Sequence, residues 1–268
     1  MTAPAARRQR EAVERFYDRW TPAFLSGFGT TLQAGFVKAS AESAEDPDSS
    51  SRLLAHRAGV RDGDRILDAG CGVGGPAIAI AREFDRARIH GVTISATQAD
   101  LGRRLVVEAG LADRVALVRA DYHQLPFPDE HFDVALFFES CGYSADRIAL
   151  FAEATRVVRR GGHVYVKDVF ARAGPLTDAE ASTLAAFDSM WYLAASPTIP
   201  EVATALEVAG CSIVTAGEVP DVGNGRFLAA MFEPDPQTIF RLSELGRAFG
   251  LSGPCPTFFG EVLARRHE

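Results

Sequence analysis

The chain has 268 residues, 47% of them hydrophobic and 24% charged, the balance of a soluble globule able to bury a substantial core. A formal net charge of -7 at pH 7 argues against general binding to nucleic acid or an anionic membrane, which needs a basic surface. No apolar run approaches the ~18 residues needed to span a bilayer, and the opening "MTAPAARRQREAVERFYDRW" lacks the apolar stretch of a secretory leader, so a cytoplasmic protein without membrane insertion is expected.

Residues 5–20 predict a charged amphipathic helix, followed by the aromatic, glycine-rich "TPAFLSGFGTTLQAGF". The acidic, turn-rich "AESAEDPDSSS" is expected to hand a serine N-cap to the next helix. From Arg65 the pattern becomes a regular alternation. "RILDAG" predicts a strand and "PAIAIAREF" a helix, with Pro76 suited to its first turn. "ARIHGVTI" is a second strand, and "ATQADLGRRLVVEAG" a helix closed by Gly110. "RVALVRAD" and "FDVALFFE" are two more strands. In "SADRIALFAEATRVVRRGG" the residues Ile148, Phe151, Thr155 and Val158 share a helical face, and the helix is expected to run to the paired glycines. "HVYVKDVF" is a fifth strand, and residues 176–195 and 200–209 are helical. "SIVTAGEV" and "FFGEVLARR" are strands on either side of a helical insert around 236–249. Short apolar strands alternating with helices imply an α/β fold, a doubly wound and mostly parallel sheet.

Cys71, Cys141, Cys211 and Cys255 are far apart and form no C-x-x-C pair, so neither a disulfide framework nor a zinc site is indicated. The six histidines show no metal-binding spacing, and no metal site is expected from the protein alone.

"DAGCGVGG" follows the first strand and opens a helix. Gly70, Gly72 and Gly75 satisfy G-x-G-x-x-G, a pattern shared by many nucleotide sites. The informative residue is Asp68, two positions before the first glycine. A carboxylate there repels a pyrophosphate but suits a ligand bearing an ammonium group, which favours an amino-acid nucleoside over a dinucleotide.

"ILDAGCGVGG", "RADYHQLPFPDEHFDVALF" and "VVRRGGHVYVKD", in that order, resemble the class I S-adenosylmethionine-dependent methyltransferases across most of residues 65–170. The resemblance implies a seven-stranded, Rossmann-like sheet and S-adenosylmethionine as cofactor. It places Asp68, Gly70 and Gly72 around the methionine portion. Asp121 would accept from the adenine amino group, with Tyr122 beside the ring; Asp121 also suits a plain turn. Many such enzymes end the second strand with an acid that grips the ribose, whereas this chain has Thr93. "GVTISATQ" is similar instead to the sterol, tocopherol and cyclopropane-type enzymes, where Thr93, Ser95 or Gln98 would replace the acid with neutral hydrogen bonds. Gln98 could equally be an exposed helix residue. "FYDRWTPAFLSGFGTTLQAGF" resembles the entry segment of the same subgroup, with Gln33 at the usual histidine position. Tyr17 and Gln33 would then meet the carboxylate end of the cofactor, and Phe24 and Phe28 the acceptor, unless these aromatics simply pack a lid helix. The implied organisation is a helical lid over residues 1–62 and a methyltransferase domain over 63–268. That domain would carry a cap insertion around 176–200 and a helical insert around 226–250.

"FFESCGYS" sets a carboxylate, Glu139, at the end of the fourth strand, where ligands lie in doubly wound sheets. The segment is similar to the E-S-x-x-[YH] element of terpenoid and sterol C-methyltransferases. That likeness implies Glu139 as the base facing a methylated carbocation, with Tyr143 beside it; the bland alternative is a loop carboxylate with no chemical role. Phe138, Phe187, Trp191 and Tyr192 would line a cation-stabilising pocket. The helix bearing the last three serves equally as a cap or as core. A prenyl diphosphate acceptor would call for Mg²⁺ or for cations such as Lys38, Lys167, Arg172 and Arg226. The alternative function is O- or N-methylation of a small natural product. A small-molecule substrate is expected either way, and the oligomeric state stays open.

Overall fold

The computed structural model describes residues 3–31, 48–219 and 256–268. The helices are α1 (Ala3–Phe28), α2 (Ser49–Arg57), α3 (Gly75–Glu83), α4 (Ala96–Glu108), α5 (Arg147–Val157), α6 (Asp178–Trp191) and α7 (Ile199–Val208). The strands are β1 (Arg65–Ala69), β2 (Arg88–Thr93), β3 (Val115–Arg119), β4 (Phe132–Phe138), β5 (Val158–Ala171), β6 (Cys211–Glu218) and β7 (Thr257–Arg266). They form one seven-stranded sheet in the order β3-β2-β1-β4-β5-β7-β6. The first five pair with one another in parallel, and β7 runs antiparallel between β5 and β6.

Successive strand residues point to opposite faces, so the apolar strands feed two cores. Ile66, Leu136 and Tyr165 join the layer that contains Ile78, Ile80, Ile89 and Phe187. Leu67, Phe137 and Val166 join the layer under Leu150, Phe151 and Leu206. Each such side chain removed from water contributes about 1.5–3 kcal/mol. Chain order reverses between β1 and β4, which are neighbours, and the carboxyl ends of strands flanking such a point leave a crevice.

Several boundaries differ from the expectation, each for a local reason. Helix α1 continues through Pro22 to Phe28 although proline lacks the N–H of an internal turn. Asp48, rather than a serine, stands at the N-cap of α2. Helix α5 stops at Val157 instead of reaching Gly161 and Gly162, and Val158 already pairs with Phe132 in the sheet. The guanidinium of Arg266 ends that helix: its Nη1 donates to the carbonyls of Thr155 (2.9 Å) and Arg156 (3.3 Å), which have no partner within the helix. Capping boxes at Thr177–Glu180 and Thr198–Glu201 start α6 and α7. The expected insert at 226–250 lies outside the described residues, as do Gln33, Lys38 and Arg226.

Candidate active site

The carboxyl ends of β1 to β4 meet beneath α1 around one cavity. At the end of β1 the Asp68 carboxyl is 1% exposed and lines the cavity, and its Oδ2 has no hydrogen-bond partner. Burial pushes this carboxyl up to about 7, because an ion loses hydration there with nothing in return. Gly70 follows at φ +93, where a Cβ would lie 2.4 Å from the Cβ of Ser140, so both the backbone and the neighbouring loop require glycine. The amides of Gly70 and Cys71 donate to Val92 O at 2.9 and 3.0 Å, which ties the loop to β2.

At the end of β2 the Thr93 hydroxyl accepts from the amide of Ser95 (3.2 Å) and donates to Gln98 Oε1 (2.6 Å). This bond turns the Gln98 amide nitrogen away from Thr93. Both residues are buried and line the cavity. Ser95 does not line it. Its hydroxyl caps α4 by accepting from Gln98 N (3.1 Å) and donates to Asp18 Oδ1 (2.5 Å).

Beyond β3, Asp121 Oδ1 accepts from the amide of His123 (2.9 Å) and lies 3.0 Å from its Nδ1, while Oδ2 accepts from Arg10 Nη1 at 2.5 Å. Burial alone would raise this carboxyl, but the His123 hydrogen bonds and the charges of His123 and Arg10 outweigh it and hold it at about 2. His123 Nε2 lies 2.9 Å from Ser144 Oγ, so both ring nitrogens are engaged and this histidine ties Asp121 to the loop after β4. Tyr122 donates to Ser140 O at 3.2 Å.

Glu139 lies just past β4 at φ 52, a left-handed conformation that costs a non-glycine residue roughly 1–2 kcal/mol. Its amide donates to Lys167 O at 2.7 Å, and its carboxylate pairs with the Lys167 ammonium. Lys167 is fully buried, 4.7 Å above the Phe259 ring, so the expectation that it meets a phosphate gives way to a partner of Glu139. Arg172 likewise pairs with Glu180 (2.8 Å). Tyr143 meets Tyr17 of α1, hydroxyl to hydroxyl, at 2.5 Å. Burial pushes Tyr17 up to about 12, against that hydrogen bond and with the charges of Glu139 and Asp168, so both walls keep neutral phenols at pH 7.

Of the expected aromatic lining, Phe24, Phe138, Tyr17 and Tyr143 reach the cavity. Phe187, Trp191 and Tyr192 do not. Phe187 is 3% exposed within the core, Trp191 packs against that core, and Tyr192 is 41% exposed beside Phe16. The Phe28 side chain and Gln33 lie outside the described residues. Sequence reasoning missed Arg10, Val13, Thr21 and Leu25, which α1 also presents to the cavity. Their spacing with Tyr17 and Phe24 is that of one helical face and was available as a signal. Among the described residues no cluster of His, Cys, Asp and Glu could hold a metal ion, and no helix is long and apolar enough to cross a membrane.

A glycine loop after β1, a carboxylate before it, and ligand groups at the ends of β2 and β3 define the architecture of a class I methyltransferase. Residues 67–166 match the family model described as a methyltransferase domain. The chain is 32% identical over 152 residues to a sterol 24-C-methyltransferase of Eremothecium gossypii, covering 57% of this chain and 40% of that protein. It is 36% identical over 174 residues to the 27-O-demethylrifamycin SV methyltransferase of Amycolatopsis mediterranei, covering 63% of each. The chain thus spans less than two thirds of the length of the curated relatives it matches. Among solved structures, the geranyl diphosphate C-methyltransferase of Streptomyces coelicolor A3(2), held with Mg²⁺, geranyl diphosphate and S-adenosyl-L-homocysteine, matches with a TM-score of 0.75 at 20% identity over 96% of this chain and 97% of that one. The [4+2]-cyclase SpnF matches with a TM-score of 0.74 at 24% identity over 96% of this chain and 97% of that one. At such identities the likeness speaks to the fold alone, and the pair of names shows how one fold serves different chemistries.

Proposed function

We propose that the protein is a cytoplasmic S-adenosylmethionine-dependent methyltransferase that adds a methyl group to carbon of an isoprenoid-type alkene. The observation that carries this reading is Glu139, a carboxylate among aromatic walls just past β4, the strand that pairs with β1 and its glycine loop.

The site suits the cofactor on its own terms. The orphaned Oδ2 of Asp68 needs a cationic donor, which the ammonium of an amino-acid nucleoside provides. In this reading the Gln98 amide and the Thr93 side chain, both lining the cavity, would meet the ribose hydroxyls, and Asp121 with Tyr122 the adenine end. When bound, S-adenosylmethionine supplies an electrophilic methyl group on a sulfonium. The residues then have three tasks. Tyr17, Phe24, Phe138 and Tyr143 exclude water and offer ring faces to positive charge on the acceptor. Glu139 stabilises that charge and takes the final proton on a carboxylate oxygen, while Lys167 fixes its orientation from behind. Asp68 and the glycine loop hold the donor end in line.

A prenyl diphosphate would need Mg²⁺ or cations at its phosphates. With Lys167 and Arg172 committed to Glu139 and Glu180, the reading rests on the alkene and not on the diphosphate. The second reading is O- or N-methylation of a small natural product, favoured by the longer match to the rifamycin methyltransferase. Methyl-labelled cofactor incubated with prenyl diphosphates, sterols and polyketide-like alcohols separates the two. The proposal expects label on carbon of an isoprenoid skeleton by NMR. Label found only on oxygen or nitrogen overturns it in favour of the second reading.

A further inference from the structure

Helix α1 roofs the cavity and is fastened by side chains one turn apart. Arg10 reaches Asp121, Glu14 reaches Arg119, and Asp18 accepts from Ser95 Oγ (2.5 Å) and Thr97 N (3.1 Å). The spacing of four places all three on one face, directed at the ends of β2 and β3. They differ in one respect. Glu14 and Asp18 stand outside the cavity, whereas Arg10 lines it, and its partner Asp121 lines it too.

Asp121 is also unequally held. Oδ1 is engaged by the His123 amide and ring, whereas the hydrogen bond to Oδ2 comes from Arg10. The Arg10 side chain is 43% exposed and that of Asp121 21%, so water and salt compete for the pair. A contact of this kind is easily opened and re-made. Both partners line the cavity, at the Asp121 carboxylate that would meet the nucleoside.

We propose that Arg10 is the latch through which the roof helix retains the cofactor: the Arg10–Asp121 pair closes over the nucleoside end, and the cofactor enters and leaves when that pair opens. This rests on the cofactor reading above. Arg10 acts through Asp121 and the position of α1, and is therefore a positioning residue. Because the latch governs escape more than the bound contacts, its loss raises the dissociation rate and is mirrored by added salt in the wild type.

The test is the dissociation rate of S-adenosylhomocysteine from the full chain, by stopped-flow displacement at low and high salt, for wild type, Arg10→Gln, Arg10→Lys and Arg7→Gln. Arg7 pairs with Glu11 on the outer surface of the same helix, so its variant makes the same charge change without touching the cavity. The expected result is a dissociation rate about fivefold faster in Arg10→Gln, the size of a half-exposed pair. Partial recovery is expected in Arg10→Lys and no change in Arg7→Gln. Salt should accelerate release from the wild type more than from Arg10→Gln, in which the Glu14–Arg119 pair is the remaining half-exposed ion pair of the three anchors. An equal rate in wild type and Arg10→Gln, or an equal rise in Arg7→Gln, overturns the latch while leaving the cofactor reading intact. Failure of the wild type to bind S-adenosylhomocysteine overturns both.

Discussion

Asp68 and Glu139 end neighbouring strands, and their surroundings treat the two carboxylates differently. Glu139 is paired with the Lys167 ammonium, whereas Asp68 lines the cavity with Oδ2 unpartnered and is pushed up to about 7 from the ordinary 3.8. The folded protein therefore binds the Asp68 proton more tightly than the unfolded chain does. The stability this contributes is full below pH 3.8 and is lost as pH rises through about 7. A ligand ammonium reverses the preference and expels the proton. S-adenosylhomocysteine should thus bind more tightly as pH rises towards 7 and release a proton on the acid side, visible by calorimetry in buffers of different ionisation enthalpy. Flat affinity with no proton release would contradict this account of Asp68. Gly70 offers a steric counterpart. Gly70→Ala forces a Cβ to 2.4 Å from Ser140 at φ +93, and a loss of about 2–4 kcal/mol in unfolding free energy is expected by denaturant titration. A midpoint equal to wild type would show that the loop yields.

Among the elements, α5 illustrates how distant chemistry sets a local boundary. Arg266, near the chain end, satisfies the last carbonyls of α5 and lets Val158 turn directly into β5. Arg266→Ala should lower stability by about 1–3 kcal/mol, as expected for lost hydrogen bonds from a charged donor, with an unchanged denaturant slope. An unaltered midpoint would refute that role. The same distance explains what the sequence concealed. Paired glycines suggested a later helix end, because nothing local announces a guanidinium 111 residues away. Asp68, Gly70 and Gly72 were legible because strand, turn and helix start are contiguous. Lys167 reads from the sequence as a candidate for phosphate, because its pairing with Glu139 depends on the β4–β5 register. Phe187 and Trp191 show the limit of periodicity: helical spacing identifies an apolar face, yet the core and a cavity wall ask for the same pattern.

For the molecule as a whole, the reversal of strand order between β1 and β4 brings the glycine loop and Glu139 together, and α1 completes the enclosure. The sheet was legible from alternation alone, because each parallel strand must be covered by a helix. The roof was legible only through Tyr17 and Phe24, since its anchors join residues more than 75 positions apart, such as Asp18 and Ser95. The account assigns binding to Asp68, Thr93, Gln98 and Asp121, and the acceptor's charge to Glu139. These assignments separate in one measurement. With the acceptor found by methyl labelling, turnover and S-adenosylhomocysteine affinity are compared in wild type and Glu139→Gln. The account predicts that kcat falls by about 10²-fold or more, the usual cost of losing an electrostatic group aimed at developing charge, while cofactor affinity stays within about twofold, a difference under 0.5 kcal/mol. Unchanged turnover in Glu139→Gln would contradict it.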